Sequence, residues 1–473
     1  MKPLFPLLLL CFLITACTSK ILKEDNHAAY ITADILNSDD PTAYFYVDSR
    51  AEEIKMAEGH LNTNIEINQA NFIRVRLARQ NLFCYITPGD SLNISFDKDD
   101  FENSLSFSGK HSKENDLLQK VRETVDEMSG SYRDLFSLTE ADFIARLDSI
   151  KIALVEMRNE IKNSDMAIDP GFLSLLETDA YYEHTRRIES YENRYKRYTS
   201  DKTYVPSDQL ADLIGSESFD NPEALGSPEF RGMVLSRMWG LADEYEEDGS
   251  EDGLQEATAN ELSHTFNDPD IQDYAKYASI KSALMFAGPE KTFGMAEAYL
   301  NNTTSAIRTK KLRQAMSRWE HLQKGKTAPD FEYPDIDSVM HALSDYKGKY
   351  VYLDVWATWC KPCIAQHPAL HALEEKYHDN SDIVFMAVSV DEDAEAWKKM
   401  VIEKELGGIQ LRAGKAPSVL DERYNISGIP RFVLIDKDGN ILDSNAPRPS
   451  SDEMKNILKE LLEPPADLLG YQE

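Results

Sequence analysis

The feature that most constrains this chain is the segment at residues 351–363, Val-Tyr-Leu-Asp-Val-Trp-Ala-Thr-Trp-Cys-Lys-Pro-Cys. Its first half is a run of apolar and β-branched residues, which predicts a buried strand. Two cysteines separated by two residues follow at once, and a helical pattern runs from Pro362 towards Tyr377. A dithiol where a strand meets the start of a helix is typical of a redox site, because helix N-termini favour the thiolate. The sequence therefore predicts thiol–disulfide chemistry.

Length and composition indicate a multidomain protein. At 473 residues the chain exceeds one ordinary domain, and 42% hydrophobic residues are enough for buried cores. With 51 Lys and Arg against 82 Asp and Glu, the net charge of −31 argues against nucleic-acid binding. The five cysteines are too few for a disulfide-stapled scaffold. We predict seven segments along the chain. They are a signal peptide (1–16), a tether (17–28), a β domain (29–108), a helical domain (109–322), a linker (323–327), an α/β redox domain (328–465) and a tail (466–473).

The N-terminus predicts export and lipid attachment. Lys2 precedes an apolar run at residues 4–14, which is shorter than the about 20 residues of a membrane-spanning helix and fits a signal peptide. The segment Leu13-Ile-Thr-Ala-Cys17 then resembles the lipobox of bacterial lipoproteins. This resemblance implies lipidation of Cys17 and a stable anchor facing an oxidising extracytoplasmic space, with the periplasm as the expected compartment. Ordinary secretory cleavage beside an incidental cysteine stays open as the alternative.

Residues 29–108 predict a small antiparallel β domain. Segments of alternating or clustered β-forming residues, separated by turn signals, lie at 30–36, 43–47, 71–77, 82–86 and 91–96. Strands this short and closely spaced are typical of a sandwich. Cys84 falls inside one of them, between Phe83 and Tyr85, so a buried and inert thiol is favoured over a redox role.

Residues 109–322 predict an all-α middle domain. The apolar period becomes that of amphipathic helices at residues 115–128, 140–162, 172–198, 229–247, 254–266 and 271–286. One helix carries an apolar stripe at three- and four-residue spacing, formed by Tyr181, Ile188, Tyr191, Tyr195 and Tyr198. A helix–helix contact is favoured over a ligand site as the interpretation of this stripe. Neither the β region nor the helical region contains a pattern that predicts catalysis.

Further motifs accompany the cysteine pair in the C-terminal region. They are Ala328-Pro-Asp-Phe331, Leu343-Ser-Asp-Tyr-Lys-Gly-Lys349, Gly428-Ile-Pro430 and Phe432-Val-Leu-Ile-Asp-Lys-Asp-Gly439. Together with Trp356-Ala-Thr-Trp-Cys-Lys-Pro-Cys363 they resemble the TlpA-like and ResA-like thiol-disulfide oxidoreductases, membrane-tethered members of the thioredoxin superfamily. The resemblance implies a thioredoxin-like fold, protein disulfides as substrates, and a membrane thiol donor that restores the dithiol.

The two cysteines and one aspartate have distinct predicted roles. Cys360, at the helix start, is expected to be the exposed nucleophile that forms a mixed disulfide, and Cys363 to be the resolving thiol. Asp354 interrupts an apolar strand, where a carboxylate is costly to bury without a partner or a task. The resemblance implies that Asp354 takes or relays the proton of Cys363. A structurally paired aspartate stays open as the alternative.

Predicted substrate contacts lie beside the cysteines. The resemblance implies a cis bond before Pro430 and packing of this loop against the cysteine pair, with the Ile429 backbone binding an extended substrate segment. Trp359 is expected to frame the site. The chain departs from the family at Gln366, because that position is usually acidic. The adjacent His367 is interpreted as a helix-surface residue, with tuning of the site's charge as the alternative.

Reduction of disulfides in exported proteins is the favoured function, with cytochrome c maturation as one setting. The alternatives are a lipid-anchored binding protein that uses the redox domain as a scaffold, a thiol peroxidase, and an oxidase or isomerase. A zinc site built on Cys360, Cys363 and His367 would lack a fourth ligand, and no histidine follows Cys363 as a c-type haem requires. The sequence therefore predicts no metal and no other cofactor.

Overall fold

The computed structural model describes residues 28–48, 51–213, 219–247, 265–414, 418–426 and 428–463. The predicted signal peptide, Cys17 and nearly all of its tether, most of the helix at 254–266 and the tail lie outside these residues. Within the described ranges the chain forms two compact units. One contains the residues up to 45 with 52–127 and 156–174, and the other contains 46–48, 51, 128–155 and the residues after 174.

Several strands of residues 28–109 alternate between buried and more exposed side chains, as the sequence predicts. In the first strand Ile31, Ala33 and Ile35 are buried and the residues between them are more exposed. The strands are β1 Ala28–Leu36, β2 Thr42–Tyr46, β3 Ala51–Lys55, β4 His60–Glu66, β5 Asn71–Leu77, β6 Gln80–Ile86, β7 Ser91–Asp97 and β8 Ser106–Gly109. They form two four-stranded sheets, in the orders β4-β1-β7-β8 and β3-β2-β5-β6.

The prediction of a purely antiparallel β domain is wrong at one pair. Strands β1 and β7 run parallel, in register from Tyr30 opposite Ser91 to Leu36 opposite Asp97. Alternation shows which side chains are buried, but it does not show the direction in which a distant strand returns to the sheet. Strands β3, β4 and β8 were not predicted, because their sequences contain few apolar residues in alternation.

Helices make up most of the described part of residues 101–317. They are α1 Phe101–Ser104, α2 Ser112–Ser129, α3 Tyr132–Phe136, α4 Glu140–Asn163, α5 Pro170–Thr199, α6 Asp208–Leu213, α7 Pro228–Glu247, α8 Pro269–Phe286, α9 Gly288–Asn302 and α10 Ala306–Ser317. Helices α2, α4, α5, α7 and α8 lie where periodicity predicts them, whereas α9 and α10 were not predicted. Among the described helices, none is long and apolar enough to cross a membrane.

The aromatic stripe of α5 is part of a helix–helix contact at its centre. Tyr191 is fully buried, stacks on Phe143 of α4 with ring centroids 4.2 Å apart, and donates a hydrogen bond to the Leu138 carbonyl oxygen. Tyr181, at the start of the stripe, is exposed. The core interpretation is therefore confirmed for Tyr191 but not for Tyr181.

The C-terminal region has the predicted α/β fold. Its elements are β9 Glu332–Pro334, β10 Met340–Ala342, β11 Tyr350–Trp356, α11 Lys361–Ile364, α12 His367–Lys376, β12 Ile383–Ser389, α13 Ala394–Glu403, β13 Ile409–Arg412, α14 Val419–Arg423, β14 Arg431–Ile435, β15 Ile441–Asp443 and α15 Asp452–Leu462. The main sheet has five strands in the order β13-β12-β11-β14-β15. Strand β11 pairs in parallel with β12 and antiparallel with β14, so it lies at the centre of a mixed sheet.

The two faces of β11 belong to different cores. Val351, Leu353 and Val355 pack into a large cluster that also contains apolar residues of helices α7 to α10. The alternate residues, including Asp354 and Trp356, lie on the opposite face, which helix α12 covers. This alternation places Asp354 inside the protein and directs the end of the strand towards the cysteine pair.

Candidate active site

Cys360 and Cys363 are joined by a disulfide at the start of helix α11, as the strand-to-helix pattern predicts. Strand β11 ends at Trp356, and the turn after it is closed by the Cys360 N–H, which donates to the Ala357 carbonyl oxygen at 3.0 Å. Cys360 is the N-cap residue, and its Sγ accepts a hydrogen bond from the Cys363 N–H at 3.2 Å. One backbone donor, the Cys363 N–H, therefore already points at the sulfur atom that would carry negative charge.

The predicted single helix from Pro362 towards Tyr377 is divided in two. Helix α11 ends at Ile364 and α12 begins at His367, with Gln366 as its N-cap residue. Pro368 explains the break, because it has no N–H and its ring clashes with the carbonyl group of residue 364 in a continuous helix. After the break, Leu370 and Leu373 on the apolar side of α12 pack against the sheet.

Cys360 is less accessible than the sequence predicted. The residue is 4% exposed and Cys363 is 1% exposed, so the expectation of an exposed nucleophile is wrong for the disulfide form. The sulfur of Cys360 is bonded to its neighbour, and both cysteines pack in a cluster with Trp356 and Trp397. Trp359, which precedes the pair, is 67% exposed.

A buried aspartate that the sequence did not indicate holds the loop before the cysteines. Asp391 follows strand β12, and its carboxylate accepts hydrogen bonds from the Thr358 N–H at 2.9 Å and from the Thr358 hydroxyl at 2.7 Å. The Ser389 hydroxyl donates to the same carboxylate at 2.7 Å. Asp391 therefore connects the loop carrying Trp359 and Cys360 to the neighbouring strand.

The loop before β14 lies where the resemblance predicts it. The Ile429–Pro430 peptide bond is cis, and the half-buried Ile429 packs against the cluster that contains both cysteines. The end of helix α8 is beside this loop, since Arg431 donates a hydrogen bond to the Met285 carbonyl oxygen at 2.7 Å. Binding of substrate by Trp359, Ile429 and Pro430 stays a prediction.

Asp354 is buried as predicted, with a 2% exposed residue surface. Burial first, and then the negative charge of Glu374, raise its pKa to about 8. Its Oδ1 atom has no hydrogen-bond partner in the described part of the chain. The carboxyl group is therefore poised to gain or lose a proton near neutral pH, which is the property that a proton acceptor for a thiol requires.

Glu374 and His367 form the rest of this buried polar region. The Glu374 side chain is 13% exposed, and burial raises its pKa to about 7 against the opposing effect of His371. His367 is half-buried and meets the Trp356 ring edge-on at 4.9 Å between centroids, so its interpretation as a helix-surface residue is wrong. Burial lowers the pKa of His367. Glu374 was not predicted as a site residue.

Cys84 is separate from this chemistry. It is the one free cysteine in the described residues, it is buried in β6, and burial raises its pKa to about 12. A thiol with so high a pKa stays protonated at neutral pH and is a poor nucleophile. The prediction that Cys84 is a buried core residue is confirmed, and its inertness stays a prediction.

The mixed sheet, the disulfide at a helix start and the adjacent cis-proline loop define a thioredoxin-like protein, and residues 348–441 match the Thioredoxin-like family. Over 151 residues the chain is 30% identical to the thiol-disulfide oxidoreductase ResA of Bacillus cereus, covering 31% of this chain and 82% of that protein. Over 125 residues it is 37% identical to ResA of Geobacillus kaustophilus, and the match covers 25% of this chain and 66% of that protein. The chain belongs to the TlpA/ResA-like thiol-disulfide oxidoreductases of the thioredoxin superfamily.

A solved structure is also similar to part of the chain. It is the crystal structure of a candidate thiol-disulfide oxidoreductase from Bacteroides vulgatus, 41% identical, covering 30% of this chain and 99% of that chain with a TM-score of 0.29.

Proposed function

We propose that this protein is a lipid-anchored, extracytoplasmic reductase of disulfides in exported proteins. The observation that carries the proposal is the Cys360–Cys363 disulfide at a helix start, with backbone donation to Cys360 and a buried carboxylate on the preceding strand. Membership of the thiol-disulfide oxidoreductases supports the same chemistry.

The proposed reaction transfers two electrons from the dithiol to a substrate disulfide. The Cys360 thiolate attacks one substrate sulfur, so that a mixed disulfide forms and the other substrate sulfur leaves as a thiolate. Cys363 then loses its proton to Asp354 and attacks Cys360 Sγ. This second step forms the Cys360–Cys363 bond and releases the remaining substrate sulfur as a thiolate. Both substrate thiolates take up protons, and the protein is left oxidised.

The exposed Trp359 and the Ile429–Pro430 loop are the proposed contact surface for the substrate. Ile429 would pair through its backbone with an extended segment, and Trp359 would cover the apolar part of that segment. A membrane thiol donor would return the protein to the dithiol form. Cytochrome c maturation is one process that needs such reduction.

The anchor is proposed at Cys17, after a signal peptide at residues 1–16. The β domain (29–108), the all-α domain (109–322) and a linker (323–327) would then separate the lipid from the redox domain (328–465) along the chain. Fractionation of cells that express Cys17→Ala tests this anchor. Loss of the protein from the membrane fraction is expected, and unchanged attachment would contradict the proposal.

Insulin reduction in the presence of dithiothreitol tests the redox function. The full-length chain is expected to accelerate reduction, and Cys360→Ser to abolish the acceleration. Cys84→Ala is the matched control, since it removes the buried thiol of β6 and should leave the rate unchanged. Equal rates for Cys360→Ser and the unaltered chain would favour a binding protein with an unused redox domain. Rapid turnover of hydroperoxides with little insulin reduction would favour a thiol peroxidase.

A further inference from the structure

A cavity of about 270 Å³ lies between helix α12 and the sheet, behind the cysteine pair. The sheet side of the cavity is lined by three residues that lie next to each other on adjacent strands. Asp354 of β11 is paired with Ala387 of β12, and Ala387 is paired with Gln410 of β13. The small Ala387 side chain leaves room between the two polar ones. A volume of this size holds several water molecules, each of which occupies about 30 Å³ in the liquid.

Three buried polar atoms occur on residues that line this cavity. Asp354 Oδ1, Gln410 Oε1 and Trp356 Nε1 have no hydrogen-bond partner in the residues that the structure describes. Buried polar groups are rarely left unpaired, and water in an adjoining cavity can satisfy them where several such groups face it. The cavity is therefore suited to a hydrogen-bonded chain of water that begins at the Asp354 carboxyl group.

Glu374 occupies a position that two glycines make possible. A Cβ atom on Gly407 would collide with Glu374 Oε2, and one on Gly408 would lie 2.8 Å from Oε1. The absence of side chains at both positions lets the Glu374 carboxylate lie against the backbone at the cavity wall. His371 Nδ1 lies 3.8 Å from Oε2 on the same helix.

The cavity also reaches the protein surface. The titratable or charged side chains that line it with Glu374 are Asp354 from β11, His367 and His371 from α12, and Lys404 and Glu405 after α13. His371, Lys404 and Glu405 are exposed, whereas Asp354 is buried. Glu374 has partial exposure, so it has access both to the interior and to solvent.

We propose that Glu374 passes protons between Asp354 and solvent through this cavity, and so acts on Cys363 through Asp354. The inference rests on the proposed function and adds a residue to it. When Cys363 attacks the mixed disulfide, its proton moves to the Asp354 carboxylate, then through cavity water to the Glu374 carboxylate, and then to solvent. No electron moves in these transfers, and Asp354 is returned to its ionised form.

Gln366, at the position where the family usually carries an acidic residue, takes no part in this path. Its side chain does not line the cavity, and its Oε1 accepts a hydrogen bond from the Ser450 N–H at 3.3 Å. The raised pKa values of Asp354 and Glu374, about 8 and about 7, suit transfer between them near neutral pH.

The test is the rate of resolution of a preformed mixed disulfide on Cys360 in the full-length chain, measured in weak buffer across neutral pH. Glu374→Gln is expected to slow resolution by about tenfold, which is less than the about 10²–10⁴-fold effect of a group that exchanges a proton with the reacting atom itself, because Glu374 acts through Asp354. Glu374→Ala should be slowed equally, and added formate should restore its rate, because a small acid can enter the space and carry the proton. Glu374→Asp should resolve the mixed disulfide at a rate between those of the unaltered chain and Glu374→Ala. It also keeps the test possible if the alanine variant does not fold.

Glu375→Gln is the matched control, because Glu375 is the next residue on the helix and its side chain is 72% exposed. Its rate should equal that of the unaltered chain, with no response to formate. Slow resolution in Glu374→Ala without rescue by formate would show a structural role and overturn the inference. Unchanged rates in all Glu374 variants would overturn it while leaving the proposed function intact. Failure of the unaltered chain to resolve the mixed disulfide would overturn both.

Discussion

Thr358 and Asp391 are joined by two hydrogen bonds, at 2.9 Å to the Thr358 N–H and 2.7 Å to its hydroxyl. The pair fixes the loop that carries Trp359 and Cys360 to the end of strand β12. Asp391 is 2% exposed, so these bonds form in a poorly solvated environment where an unpaired group is costly. The position of the nucleophile thus depends on a residue about thirty positions later in the chain.

Asp391→Ala is therefore expected to destabilise the redox domain by about 1–3 kcal/mol and to slow disulfide exchange. Asp393→Ala is the control, because Asp393 caps helix α13 through the N–H groups of Glu395 and Ala396. Loss of that cap should cost about 1 kcal/mol without a change in exchange rate. Chemical denaturation and insulin reduction measure the two effects. Equal rates for both variants would show that the Thr358 contact does not position the site.

Asp354 gives the domain a predicted dependence of stability on pH. Its pKa rises from 3.8 to about 8 on folding, so the folded protein binds one more proton between these values. Protonation of Asp354 therefore contributes fully to the stability of the folded protein below its unfolded-state pKa of 3.8. This contribution is lost as pH rises through its folded-state pKa of about 8. Glu374 acts with the same sign between 4.5 and about 7.

Asp354→Asn should therefore weaken the fall in unfolding free energy between about pH 5 and pH 8, and should slow exchange at neutral pH. Denaturation curves at several pH values measure the first effect, and insulin reduction measures the second. If Asp354→Asn keeps the full exchange rate, Asp354 is not the proton acceptor in the reaction. An unchanged pH dependence of stability would show that Asp354 does not bind the additional proton.

Much of the redox site could be predicted from residues close together in the chain. Cys360, Cys363 and Asp354 lie within one strand-to-helix segment, so the alternation of β11 and the helix start place them directly. The cis bond before Pro430 was also predicted, but only through resemblance to a family. The prediction that Cys360 is exposed was wrong for the disulfide form, because the disulfide-bonded Cys360 packs in a cluster with the buried Trp356 and Trp397.

Residues whose roles depend on distant segments were missed. Glu374 has the sequence appearance of an ordinary helix-surface glutamate, and it becomes a cavity residue only because Gly407 and Gly408 lie against it. That glycine pair was the available signal, but its meaning depends on tertiary packing. The parallel pairing of β1 with β7 was missed for the same reason, since alternation within a strand carries no direction.

Cys84 should stay unreactive in the folded protein. Its buried thiol, with a pKa raised to about 12, is expected to resist thiol reagents until the protein is denatured. Cys84→Ala should keep full exchange activity, while Cys84→Ser should destabilise the protein by about 1–3 kcal/mol through a buried hydroxyl without a partner. Rapid labelling of Cys84 in the native state would contradict its assignment to the core.

Trp359 should matter for protein substrates more than for small ones. Because 67% of this residue is exposed beside Cys360, Trp359→Ala is expected to raise KM for a protein disulfide several-fold with little change in kcat. Reduction of a small aromatic disulfide should be nearly unaffected. Val205→Ala, at a 76% exposed apolar residue on the helical region, is the control. Equal losses for both substrates would place Trp359 in the chemistry rather than in substrate binding.

The most direct measurement is covalent trapping with the Cys363→Ser variant. Without the resolving thiol, a mixed disulfide between Cys360 and a protein substrate should accumulate and be located by mass spectrometry of proteolytic fragments. The account predicts one adduct per chain, on Cys360, that dithiothreitol releases. Absence of an adduct on Cys360 while the unaltered chain still reduces the same substrate would contradict it.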